Sequence, residues 1–410
     1  MKAIAVLCAA PLIFVTNVFA QPTVSRDKAP NVPGSIRQYV DRLYSTEAGM
    51  RAEAACQIGR RHTDAAPAIP ILLAMLHDDV TVAGPLECNM NPWMRRQMKI
   101  DPASFKEWDT SPAKEAADAL GDIGEPAVPG LLQALGNANW KVRKFAAYGL
   151  GEAEPMTQRA AVVRALGDRL GDEHPEVRER SAWALGEIED PSAVPLLSRG
   201  LGDKDVRVRA TVAWALGEIE DPSAVTGLLR ALKDAEATVR SKAAWALGEI
   251  EDGSAVDGLV GALKDADTNV RRQAAWALGE IESDRAVPSL VRVLGDADAQ
   301  VRRQVVWALG EIEDVMAVNG LVKALSDADA EVRRQAAWAL GEIEDSGALT
   351  GLVAALKDTD WQVRKTAAWA LGEIEDPRAI DDLRAAANDA SAEVRRAISQ
   401  AIRELRDKRH

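Results

Sequence analysis

Apolar residues recur along most of this chain at three- and four-residue steps, in short runs separated by polar turns. Between Asp329 and Asp358, Val332, Ala336, Ala339, Leu340 and Ile343 form one stripe, and Leu349, Leu352, Val353 and Leu356 form a second. A stripe at this spacing predicts a helix with one apolar face, so the segment predicts two short amphipathic helices. Asp329 and Asp345 stand where an N-cap belongs, because a carboxylate there accepts from the free N–H groups of the first turn. Pro191, Pro222 and Pro377 open second helices, at a position whose N–H has no helical partner to lose.

The pair repeats. Trp-Ala-Leu-Gly-Glu-Ile-Glu begins at Trp183, Trp214, Trp245, Trp276, Trp307, Trp338 and Trp369, 31 residues apart each time, and a period of this size marks a solenoid. Degenerate copies run through Ala54–Gly59, Ala116–Ile123 and Val142–Gly151, giving about ten helix pairs. In a last copy, Val394 to Leu405, Gln400 replaces the Trp and Arg403 the Gly, as suits a terminal helix whose outer face meets water. The expected organisation is a leader over 1–20, a Pro-containing linker over 21–34, and a capping helix with the first repeat over 35–78. A non-repeat insertion over 79–111, the repeat array over 112–390 and a C-terminal capping helix over 391–410 complete it.

Lys2, the apolar run Ala3–Val15 and the small residues around Val18-Phe19-Ala20 predict a signal peptide cleaved near Ala20, and hence a periplasmic or secreted protein. The run is shorter than the roughly 20 residues of a membrane span, and no second one follows, so no membrane span is expected. Export leaves Cys56 and Cys88 in an oxidising compartment, where a disulfide between them is expected. A net charge of −13 opposes a broad phosphate-binding surface, so no nucleic-acid partner is expected.

The recurring Val-Arg-x-x-Ala-Ala-x-Ala-Leu-Gly core resembles HEAT-like repeats of the phycobilisome-lyase type, also found in deoxyhypusine hydroxylase, over roughly residues 45–408 apart from the insertion. The resemblance implies an all-α fold, an α-solenoid coiled as a right-handed superhelix, with the first helix of each pair lining the concave surface. Function does not follow from such a fold.

With Val332 at 0° and about 100° per residue, the core positions cluster near the origin while Trp338 falls at about 240°, among Glu331, Arg334, Gln335 and Glu342. The Trp residues thus stand on the polar side of their helices. Two readings stay open: the rings bind a partner, or they staple copy to copy by lying on Arg or Gln stems of the neighbouring rung. Ala337 and Gly341 are explained by close approach of the adjacent helix, and the Arg of each Val-Arg pair, Arg178 through Arg364, by a bond to a loop Asp of an adjacent repeat. A Glu follows each Trp by four residues, at Glu187, Glu218, Glu249, Glu280, Glu311, Glu342 and Glu373, forming an acidic line whose middle is modulated by Arg272, Arg303 and Arg334. This combination suits a basic, extended protein or peptide partner.

Enzyme chemistry finds little support. The resemblance to deoxyhypusine hydroxylase implies His-Glu iron ligands four and three residues before the aromatic position, and none of these sites carries them. Only His62, His77, His174 and His410 are present, with no paired-ligand spacing, so neither a metal nor another cofactor is expected. Asp327 and Asp329 read as helix caps, not calcium ligands. A phycobilin-lyase-like role is the enzymatic alternative. A spacer, or an accessory subunit that docks through its convex face or through the insertion with its Trp93, Arg95, Arg96 and Trp108, is the structural one.

Overall fold

The computed structural model describes residues 32–84, 86, 88 and 109–407. The leader, most of the linker, and Trp93, Arg95, Arg96 and Trp108 of the insertion lie outside the described residues. Among the described residues every regular element is helical, and one isolated bridge, Val82 with Thr110, pairs extended backbone.

A single copy shows how the sequence builds the pair. Asp329 accepts from the N–H groups of Glu331 and Val332 at 3.0 and 3.1 Å, starting the long helix Ala330–Glu342. The chain then turns through Glu344, whose φ of 54° is left-handed. Its counterparts in the other copies, from Glu154 to Glu375, adopt the same conformation, and in the Pro112–Ile123 copy the place is taken by Gly124 at φ 77°. A residue with a Cβ gives up about 1–2 kcal/mol in this region, so the reversal is imposed by the packing that follows it. Asp345 caps the three-residue 3-10 turn Ser346–Ala348 through the Gly347 N–H at 2.7 Å, and the short helix Leu349–Ala355 continues from there. Pro191, Pro222 and Pro377 each occupy the first place of this turn.

Within each unit long helices pack side by side in one layer, and each short helix lies closest to the long helix that follows it. The core between the layers is the predicted stripe: Val332, Ala336, Ala339 and Leu340 are fully buried and Ile343 nearly so, against Leu352 and Leu356. Leu349 and Val353 are only half-buried, because no third layer covers the short helices.

The recurring Arg ties the loops together. Arg333 donates Nε and Nη2 to the two carboxylate oxygens of Asp358 at 2.7 and 2.9 Å, while Nη1 donates to the Asp327 carbonyl at 2.9 Å. One guanidinium thus joins the loop before its helix to the loop 25 residues on. The same fork recurs from Arg178–Asp203 to Arg364–Asp389, and a fully buried version, Arg51–Asp78, stands in the first copy. The Arg240 hydrogen bond holds the Asp265 carboxyl below the ordinary aspartate range. This bidentate geometry is the strong form of the ion pair.

The chain divides into two compact units after Gln158. At that point Trp183 follows Tyr148 by 35 positions instead of 31, and the extra residues lie in the connection between helices Trp140–Glu152 and Arg159–Arg169. In the first unit the two ends of the insertion meet: Val82 and Thr110 exchange backbone hydrogen bonds at 2.8 and 2.9 Å, and Asp109 accepts from the Gly84 N–H. A disulfide joins Cys56, on the long helix Ala48–Gly59, to Cys88, with Cα atoms 6.4 Å apart, and both cysteines pack with Ala52 and Leu86. Cross-linking positions 32 residues apart restricts the unfolded chain by roughly 3–4 kcal/mol. Reductant is therefore expected to lower the melting temperature of the wild-type first unit and to leave a Cys56→Ser/Cys88→Ser double variant unchanged, as followed by calorimetry.

Candidate partner-binding surface

Each motif Trp from Trp214 to Trp369 stands near the middle of its long helix and is half-buried. What covers it is the preceding copy. A Cβ built on Gly310 would lie 2.6 Å from Trp338 Cζ3, one on Gly341 2.7 Å from Trp369 Cζ3, and one on Gly248 2.6 Å from Trp276 Cζ3. The same notional Cβ on Gly248 would lie 2.9 Å from the Ala277 Cα. Glycine three residues after one Trp thus lets the next long helix approach at its Ala and receives the next Trp ring on its bare backbone.

Of the two readings left open, this contact supports stapling of copy to copy, with glycine rather than an Arg or Gln stem beneath the ring edge. The helical wheel places Trp correctly on the polar side, but the ring folds over a neighbouring glycine, where no side chain stands in the way. The cation contacts lie within one helix instead: Arg180 sits 5.1 Å from the Trp183 ring centre and Lys242 5.5 Å from that of Trp245. The close approach inferred for Gly341 is present.

The acidic line is tied to the rings. Each Glu of the line from Glu218 to Glu373 lies beside the indole of the Trp four residues earlier, Trp214 to Trp369, whose N–H favours the charged carboxylate. Burial pushes all six carboxyls above the ordinary glutamate range, and repulsion from neighbouring copies adds to it: Glu249 feels Glu218, Glu220 and Glu280. Glu187, in the first of these copies, is exposed.

The three arginines differ. Arg303 donates to both oxygens of Asp329 in the next copy, at 2.8 Å for the shorter bond, Arg334 is held by Glu331 on its own helix, and Arg272 is exposed, with a 3.4 Å contact to Asn269. Much of the positive charge is therefore already matched on the same face. Asp327 accepts the Arg302 fork and Asp329 caps its helix, so both aspartates are occupied structurally.

In the first unit the register position of the Trp carries Cys56, Asp118 and Tyr148, a substitution visible once the Arg five residues earlier, at Arg51 and Arg143, is aligned. Lys114 lies 5.4 Å from the Tyr148 ring centre and pairs with Asp118 at 2.8 Å. Burial, reinforced by Asp118, pushes the Tyr148 phenol far above its usual range. Cys56, Cys88 and Glu115 bring potential ligand atoms together, but both sulfurs are bonded to each other and offer no thiolate.

Two expected outcomes follow from the rungs. Gly-to-Ala in a helix interior ordinarily stabilises by about 1 kcal/mol. Gly279→Ala should instead destabilise, because its Cβ would meet Trp307 at 2.6 Å, whereas Gly261→Ala, with nothing within 4 Å, should show the ordinary gain in chemical denaturation. A carboxyl whose folded pKa is raised holds more protons folded than unfolded, so its contribution to stability falls as pH rises from the ordinary glutamate value through the raised one. Glu280→Gln/Glu311→Gln should therefore raise the melting temperature at neutral pH, with the advantage shrinking as the pH is lowered towards the ordinary glutamate value.

Comparison with known proteins agrees with this architecture. The family model for HEAT repeats matches residues 163–247, 225–310, 288–358 and 318–403, and that for the PBS lyase HEAT-like repeat matches 113–137. Sequence comparison with curated proteins finds no match. Among solved structures, importin beta aligns with a TM-score of 0.55 at 14% identity, over 90% of this chain and 61% of its own. Kap95p, which binds RanGDP, aligns at 0.53 and 15% over 90% and 60%, and an engineered protein at 0.50 and 23% over 91% and 99%. At such identities the likeness concerns the fold. Among the described residues no helix is long and apolar enough to cross a membrane. With the repeat model matching well over half of the sequence, and with long and short helices stacked copy on copy, the chain belongs to the HEAT-repeat family of all-α solenoids.

Proposed function

We propose that the protein is a non-enzymatic scaffold that holds a basic, extended protein or peptide on the exposed side of its long-helix layer. The observation that carries this reading is the glutamate row: six carboxyls, each beside an indole, are pushed towards protonation by burial, and several are pushed further by one another. A Lys or Arg from a partner laid along the row would relieve that repulsion at each rung, and the exposed part of each indole offers it an aromatic surface. The matched charges of Arg303 and Arg334 leave the glutamates as the dominant unrelieved charge of the middle copies. HEAT solenoids commonly bind proteins, as Kap95p binds RanGDP.

The Cys56–Cys88 disulfide supports action in an oxidising compartment such as the periplasm, in keeping with the leader over residues 1–20. The absence of His-Glu pairs before the aromatic positions supports a role without metal catalysis.

Charge reversal tests the reading without touching the ring-on-glycine packing. A Glu249→Lys/Glu280→Lys/Glu311→Lys variant should keep wild-type helicity by circular dichroism and lose the proteins that the wild type captures from an envelope extract, identified by mass spectrometry. Capture of the same proteins by the triple variant would exclude this surface.

A further inference from the structure

The regular stacking fails at one end of the second unit, and the failure leaves a cavity. At six successive junctions, from Gly186 with Trp214 to Gly341 with Trp369, a glycine receives the next copy's ring and the next Ala comes close to it. The seventh junction keeps the backbone approach: a Cβ on Gly372 would lie 3.2 Å from the Ala401 Cα, as one on Gly341 would lie 3.1 Å from that of Ala370. The ring is missing, because Gln400 stands at the aromatic position. Glu404 occupies the place of the row glutamate, four residues on. Its side chain leans over Gly372, 2.9 Å from the notional Cβ, and accepts from Gln400 Nε2 at 2.9 Å. Beside it opens a cavity of about 460 Å³, lined by Trp338, Trp369, Lys365, Arg396, Gln400 and Glu404 among others. That volume falls within the roughly 300–1,000 Å³ typical of small-ligand pockets.

Charge around the cavity is divided. Glu404 stands where every rung from Trp214 onward sets a glutamate beside its indole. On the other wall Arg334 is committed to Glu331, whereas Lys365 and Arg396 are exposed and are offset at longer range by Glu393, on which both act. Glu393 shares that rim.

We infer that this cavity receives a tryptophan side chain of a partner peptide, bearing an acidic group next to it. The incoming indole takes the place of the absent eighth ring against Trp369 and Gly372. Glu404 swings out to accept its N–H, and the neighbouring carboxylate lies between Lys365 and Arg396. The inference shares with the proposed function the assumption that this face binds partners, but it rests on different residues.

N-acetyl-L-tryptophan, which carries both groups, is the probe, titrated by isothermal calorimetry against the full chain. One molecule should bind per chain, and N-acetyl-L-tryptophanamide should bind about five-fold more weakly, the scale of an exposed ion pair. K365Q/R396Q should erase that preference. Q400W restores the repeat pattern, so it should raise the melting temperature and abolish binding. Should Q400W fail to fold by circular dichroism, A397M, which fills the cavity from its lining, should abolish binding in its place. Absence of binding to the wild type, or undiminished binding to the filled variants, would overturn the inference. The glutamate reversals at Glu249, Glu280 and Glu311 should leave probe binding unchanged, so failure of the scaffold reading and failure of this one are separable.

Discussion

The structure depends on how closely one long helix can approach the next. Glycine in the middle of a helix forgoes about 1 kcal/mol of propensity relative to alanine, yet one stands three residues after the Trp of every Trp-Ala-Leu-Gly-Glu motif from Trp183 to Trp369. Its bare backbone admits the neighbour's Ala at about 3 Å and then the neighbour's indole. Once that contact is made, the ring's place is set beside the glutamate one turn on, and the acidic row falls into line. The Arg–Asp forks impose the same translation near the other end of the helix. Two fixings per junction leave little freedom in how copies stack, and identical junctions generate the repeat.

Much of this could be read from residues in one copy. Val332, Ala336, Ala339 and Leu340 mark the core by their spacing, and Asp329 and Asp345 mark helix starts by their chemistry. The Arg fork was legible because Arg333 and its counterparts recur as strictly as core residues do. A wheel drawn for a single helix carries no neighbour, however, so it could place Trp338 on the polar side without showing that Gly310 lies beneath it. The signal was there in the pairing of Gly and Trp across the 31-residue period, but using it requires the translation between helices. Left-handed Glu344 had no signal, since only Gly124 carries the residue that such a φ favours.

The first unit shows the same register put to other uses. Where a ring stands in the second unit, Asp118 pairs with Lys114, Tyr148 lies half-buried beside that lysine, and Cys56 anchors the insertion through Cys88. The insertion is thus fastened at the rung position, with its two ends closed on each other at Val82 and Thr110. Among these three copies only Tyr148 keeps an aromatic ring at that position, so no run of indoles lines this part of the chain.

The forks also give the second unit a mechanical character. Each guanidinium spans one junction and no more, so tension along the chain is carried by like bonds in series, and the parting of one leaves the geometry of the next intact. Among the described residues Arg395, in the last helix, donates to the carbonyls of Asp389 and Ala390 and forms no fork with a carboxylate. Under load the unit would behave as a row of matched springs whose final coil is the softest, yielding stepwise inward from its C-terminal end.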